Sequence, residues 1–137
     1  MYVNNTYGFG PWVGEDVAKV NINTGEIEAM FSIGMATGLA VKDDYLYISG
    51  NQTKLLYRVN LTEATPTLET VFNFNTGEYN ATPFRIIFVN DDLYVTGSSG
   101  DNGSGEGLIF KFTVDNISEP QVRTSGISVS GITELNG

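Results

Sequence analysis

Leu46-Tyr47-Ile48-Ser49-Gly50 returns 47 residues later as Leu93-Tyr94-Val95-Thr96-Gly97. Met1-Tyr2-Val3-Asn4-Asn5 stands 45 residues before the first of them and follows a similar order of side chains. A signature recurring at nearly constant spacing marks a chain of repeated supersecondary units, each needing a neighbour to cover its apolar face. The 137 residues divide into units near 1–45, 46–92 and 93–137, together one repeat domain.

Around the signature, each unit carries four short strand-like runs parted by turn residues, and no segment has a helical period. In the central unit the runs are Gly38-Leu39-Ala40-Val41, Tyr45-Leu46-Tyr47-Ile48-Ser49, Leu55-Leu56-Tyr57-Arg58-Val59-Asn60 and Leu68-Glu69-Thr70-Val71-Phe72-Asn73-Phe74. The next unit offers Ile86-Ile87-Phe88-Val89, then Leu93-Tyr94-Val95-Thr96, then Leu108 through Val114, and a weaker fourth run around Gln121-Val122-Arg123. Lys19, Arg58 and Lys111 hold one place in the third run of each unit, between apolar neighbours. The chain therefore reads as all-β.

The remaining unit is split. Gly131-Ile132-Thr133-Glu134-Leu135-Asn136-Gly137 reads as a first strand and its turn, whereas Met1-Tyr2-Val3-Asn4 reads as a second strand with nothing before it. The C-terminal strand is expected to complete a unit whose other three strands lie at the N-terminus.

The Gly-apolar-Ala-Val run, the Asp-containing turn and the Leu-Tyr-Val run resemble the NHL-like and YVTN-like repeats of β-propellers. The resemblance spans nearly the whole chain through short motifs. The Trp-Asp dipeptide and the kelch double glycine are missing, and Phe84-Arg85 stands where the second unit has its leading glycine. A sandwich of similar strands is the other reading. The resemblance implies a half-propeller of three four-stranded blades per chain, one of them split between the termini. Propellers close with about four to eight blades, and an open array of three would leave two apolar faces in water. Two copies would close as a six-bladed homodimer, the terminal strand of each completing the split blade of the other. A segment of a longer single-chain propeller is the competing explanation.

Composition removes several chemistries. The chain has no Cys and no His, so thiolate nucleophiles, disulfides, imidazole general bases and imidazole metal sites are all absent. A net charge of −9 opposes nucleic-acid binding, which needs Lys and Arg against phosphates. The apolar runs are strand-sized, so no membrane span is expected. Six Asn-x-Ser/Thr sequons occur, at Asn4, Asn51, Asn60, Asn80, Asn102 and Asn116. They fit either a glycosylated, secreted protein or an Asn- and Thr-rich bacterial chain using both residues at strand ends. A secreted or extracytoplasmic location is expected, with a cytoplasmic one as the alternative.

Propellers bind ligands where the loops from strand two to three and from strand four to one surround the channel. The long segments 5–16, 75–84 and 97–107 are expected on that face. Tyr7, Phe9, Trp12 and Tyr79 are aromatics in glycine-rich surroundings and are the candidate ligand-binding residues. Phe9 and Trp12 have a structural reading as well, folding back between blades. Asp101-Asn102-Gly103-Ser104-Gly105-Glu106-Gly107 spaces oxygen donors as calcium loops do but has glycine at the third and fifth places, so it reads as a hairpin loop. Asp43-Asp44 and Asp91-Asp92 belong to tight turns, where Asp bonds its own backbone.

The expected function is a non-catalytic binding or scaffold module for a glycan, peptide or protein, with no cofactor implied. The alternative is a lactonase-like hydrolase or lyase holding a divalent metal in the channel. That chemistry needs several inward-facing acids, and Glu134 is the single acid on the candidate first strands.

Overall fold

The computed structural model describes residues 1–4, 17–100, 104–124 and 126. Among the described residues eleven strands follow one another with no helix between them. The first sheet holds β1 (Tyr2–Asn4), β2 (Val17–Val20) and β3 (Ile27–Phe31). The second holds β4 (Ala36–Lys42), β5 (Tyr45–Gly50), β6 (Leu55–Asn60) and β7 (Leu68–Asn73). The third holds β8 (Ala81–Val89), β9 (Asp92–Ser99), β10 (Gly107–Thr113) and β11 (Asn116–Thr124). Every pairing is antiparallel between consecutive strands, so each sheet is a meander and the chain is all-β.

The register carries the repeat. Tyr2, Tyr47 and Tyr94 lie opposite Lys19, Arg58 and Lys111 in the three sheets. Each cation is held by an acid: Lys19 by Glu28, Arg58 by Glu69 and Lys111 by Asp92. The first two acids sit on the following strand and the third on the preceding one, so the position of the cation is repeated and its partner is not. The first strands also break their ladders at matching places, between Ala36 and Gly38 in β4 and between Pro83 and Ile86 in β8.

Several expected boundaries move. β8 starts at Ala81 rather than at 86, because Ala81, Thr82 and Pro83 pair with Ser99, Ser98 and Gly97 before the break. Pro83 has no N–H to give a ladder, and the irregularity that follows it accommodates that loss. β11 runs for nine residues where only a short run around 121–123 was expected. It takes Pro120 because it is paired on one side only, to β10. Asp92 belongs to β9 rather than to the turn before it. The turns themselves match: Asp43 and Asn90 both have φ near +55°, at 52° and 57°, a conformation Asp and Asn tolerate better than other side chains. The expected first strand at 131–135, which would precede β1, lies outside the described residues.

Alternation along β5 sends Leu46 and Ile48 to one face and Tyr47 to the other. Leu46, Ile48, Tyr57 and Val59 meet Val17 of the first sheet, with Ile33 and Ala36 beside them. Tyr47 and Leu56 meet Leu93, Val95, Phe110 and Phe112 of the third sheet around Phe74. The second sheet is thus covered on both faces.

The first strands approach most closely. A Cβ on Gly38 would stand 2.8 Å from the Ile86 nitrogen and 2.9 Å from the Phe84 oxygen, so only glycine fits where β4 meets β8. Polar side chains stitch the same seams: Asn4 Nδ2 donates to the Ala36 carbonyl at 2.8 Å, and Ser49 Oγ donates to the Phe84 carbonyl at 2.8 Å. Asn4 and Ser49 are repeat counterparts, so one contact type recurs from sheet to sheet. At the hairpin end, Lys42 Nζ reaches Asp91 at 2.8 Å and the Asn90 carbonyl at 3.1 Å, clipping the second sheet to the third.

Candidate functional site

One end of the sheets gathers what is described of two of the segments that the sequence marks as long, 75–84 and 97–107, together with two shorter turns; the third long segment, 5–16, lies outside the described residues. Residues 32–35, 51–54, 74–80, 99–100 and 104–106 are linked there by hydrogen bonds. Asn51 N donates to Met35 O at 2.9 Å, and Phe74 N donates to Lys54 O at 2.9 Å. Asn80 is the junction: its side-chain oxygen accepts from Lys54 Nζ at 3.0 Å, and its carbonyl accepts from Gly100 N at 2.9 Å. Thr82 Oγ1 then donates to Gly100 O at 3.1 Å. Three non-glycine residues at this end, Met35, Lys54 and Asn80, have φ of 57°, 55° and 39°. Left-handed backbone at Met and Lys is costly and persists where the surroundings fix it. This end is therefore tied together by hydrogen bonds despite being made of loops.

Tyr79 sits in the turn 76–80, where the Tyr79 and Asn80 amides both donate to Thr76 O. Its ring packs edge-on against Phe110, with centroids 5.5 Å apart, and tilts over Phe72 at 6.4 Å. Burial raises the pKa of its phenol above 10.0, and the neighbouring Glu78 adds to the rise. The half-buried Tyr79 still lines a groove of about 310 Å³ with Phe72, Thr76, Glu78, Glu119 and Pro120, between the outer strands β7 and β11. Aromatic surface beside carboxylates suits a stacked sugar ring or a basic side chain.

The other three candidates, Tyr7, Phe9 and Trp12, lie outside the described residues, as do Asp101, Asn102, Gly103 and Glu134. The structure brings 74–80 beside Gly100, as expected for one face. It also shortens both long segments, since β8, β9 and β10 take up Ala81 through Phe84, Gly97 through Ser99 and Gly107. Among the described residues no three Asp or Glu side chains converge in a way that could hold a metal ion. Asp91 and Asp92 are each engaged by a lysine, Asp91 by Lys42 of the neighbouring sheet and Asp92 by Lys111 of the neighbouring strand.

Three features were missed in the sequence. Lys54 lies among the buried polar residues at 9% exposed, and its φ gives no sequence signal. Arg85, exposed on β8, donates from Nη1 to the Thr37 carbonyl at 2.6 Å. Its signal was the missing glycine, since it stands where the preceding repeat has Gly38. The sequons have a structural use too. Asn60 Oδ1 accepts from both Thr62 N and Thr62 Oγ1, and Asn116 Oδ1 accepts from Ser118 Oγ, so these Asn-x-Ser/Thr triplets act as local turn locks.

No protein-family model and no curated protein matches the chain. The reading of its role therefore rests on its own residues. No helix among the described residues is long and apolar enough to cross a membrane.

Proposed function

We propose that the chain is half of a six-bladed β-propeller with NHL-like or YVTN-like blades, closed by a second copy, and that it acts as a non-catalytic recognition or scaffold module. The observation that carries this reading is the covering of the second sheet on both faces at equivalent register positions, with the first strands β4 and β8 in close apposition. Neighbouring antiparallel meanders stacked face to face are the building principle of propellers. The gathered loops at one end supply the binding surface, with Tyr79, the 310 Å³ groove and the segment carrying Tyr7, Phe9 and Trp12 as its aromatic elements. Absence of His and Cys from the sequence favours recognition over catalysis. The six sequons favour a secreted or extracytoplasmic setting.

A glycan array tests the ligand class. The chain is expected to retain a defined set of sugars, and Trp12→Ala or Tyr79→Ala to remove the signal while circular dichroism and solution mass stay unchanged. Signal unaffected by both substitutions would contradict the aromatic loops as the site. An array blank for the parent chain would restrict the ligand to peptide or protein.

A further inference from the structure

The seams inside the chain join two kinds of sheet face, and each kind also occurs once without a partner sheet among the described residues. On the second sheet, the face turned to the first sheet presents Leu46, Ile48 and Val59, each 0% exposed. Their repeat counterparts on the first sheet are Met1, Val3 and Val20. Met1 is 63% exposed, and Val3 and Val20 are only half-buried. On the opposite face of the second sheet, Tyr47 and Leu56 are 1% and 0% exposed against the third sheet. Their counterparts there, Tyr94 and Ile109, are half-buried together with Ile87.

We propose that the Met1–Val3–Val20 face of one copy seats on the Ile87–Tyr94–Ile109 face of a second copy. The assignment rests on the ring reading above and adds to it the surfaces that meet. A second copy is the occupant because the chain already contains the same joint twice. The Leu46–Ile48–Val59 face packs on the first sheet, and the Leu93–Val95–Phe112 face packs on the second, in the same register. The uncovered faces continue that series at either end of the chain. The joint pairs unlike faces, so it is heterologous, and two copies related by a twofold axis form it twice and leave no face of either kind uncovered. The Leu46, Ile48 and Val59 positions are buried in the second and third sheets and more open in the first, and the Leu56 position is buried in the first and second and half-buried in the third, which marks an unmet contact of the same sort. The free edge of β1, unpaired beyond β2 among the described residues, falls at this same joint.

A pairing of unlike faces has a consequence that a pairing of like faces lacks. Val20→Asp spoils one face, and Ile109→Asp spoils the other. Each variant alone carries a damaged joint on both sides of the ring, so its self-association should weaken about a hundredfold or more, from burying an unpaired carboxylate. Mixed together, one of each chain gathers both aspartates into a single joint and leaves the other joint as in the parent. Native mass spectrometry should then show a two-chain species containing one copy of each variant. Circular dichroism of the separate variants reports folding. If either aspartate unfolds its chain, Val20→Thr and Ile109→Thr repeat the design with a smaller loss of affinity. A parent chain of single-copy mass would overturn both the ring and this assignment. A parent of two-copy mass whose Ile109 variant stays fully paired, or whose folded variants do not restore each other on mixing, would leave the ring standing and overturn the assigned faces.

Discussion

The two seams inside the chain share a register and differ in filling. Between the second and third sheets the core is aromatic: Phe72, Phe74, Phe110 and Phe112 meet edge to face, with centroids 4.9 Å apart for Phe74–Phe110 and 5.1 Å for Phe72–Phe112. Tyr47 adds its own contact to Phe88 at 5.2 Å. Between the first and second sheets the buried positions are chiefly Val17, Ile33, Leu46, Ile48 and Val59. Repetition therefore fixes backbone spacing and strand order and leaves core chemistry free to vary. Each aromatic pair is worth about 0.5–1.5 kcal/mol beyond its buried area, so the aromatic seam is the stronger one.

Truncation should expose that inequality first. Phe110→Ala is expected to cost about 3–5 kcal/mol in denaturant unfolding, since it removes the ring that touches Phe74, Phe72 and Tyr79. Leu46→Ala in the aliphatic seam should fall toward the ~2 kcal/mol end of the range for such changes. Equal costs would break the contrast between the seams.

The backbone approach between β4 and β8 comes next. Gly38→Ala forces a Cβ against the Ile86 nitrogen and should cost about 1–3 kcal/mol. Gly77→Ala, with no heavy atom within 4 Å of its added Cβ, should lie close to neutral by the same thermal melt. A Gly38 variant as stable as the Gly77 one would mean that β4 and β8 are not tightly apposed.

The hairpin clip acts more weakly because it is exposed. Its hydrogen bond to Asp91 raises the Lys42 pKa above 10.5. The sign follows: the clip contributes fully below 10.5, and its contribution is lost as pH climbs through the raised folded value. Lys42→Ala should lower the melting temperature slightly at neutral pH, less so in high salt, and the difference from the parent should close in strongly alkaline buffer. A gap that persists there would assign the effect to packing of the lysine stem.

Tyr79 gives the smallest signal. Its phenol should titrate above 10.0 by NMR, and Glu78→Gln should recover only the lesser part of the rise, because burial is the larger cause. A midpoint at the ordinary tyrosine value would place the ring in water and detach it from the aromatic seam.

Much of the architecture was legible in the sequence. Period-two alternation and the recurrent Leu-Tyr-Ile/Val run located the second and third strands of each unit, because half-buried strands impose that pattern. The cation in the third strand was visible as well, since a charged residue between apolar ones can recur only where the backbone returns to the same place. Where the first strands begin was not legible: Ala81 through Phe84 contains Pro83 and no alternation, and only the register with Gly97 through Ser99 reveals it. Lys54 and Met35 escaped notice because a left-handed conformation at such residues is imposed by the loops around them. For Tyr79, the aromatic in a glycine-containing loop was legible, but not the lean of its ring onto Phe110, a contact made across sheets.

The decisive measurement is the mass of the chain in solution by light scattering. A closed ring of two copies requires about 30 kDa, twice the 14.9 kDa of one chain. A steady 14.9 kDa across the concentration range would contradict it.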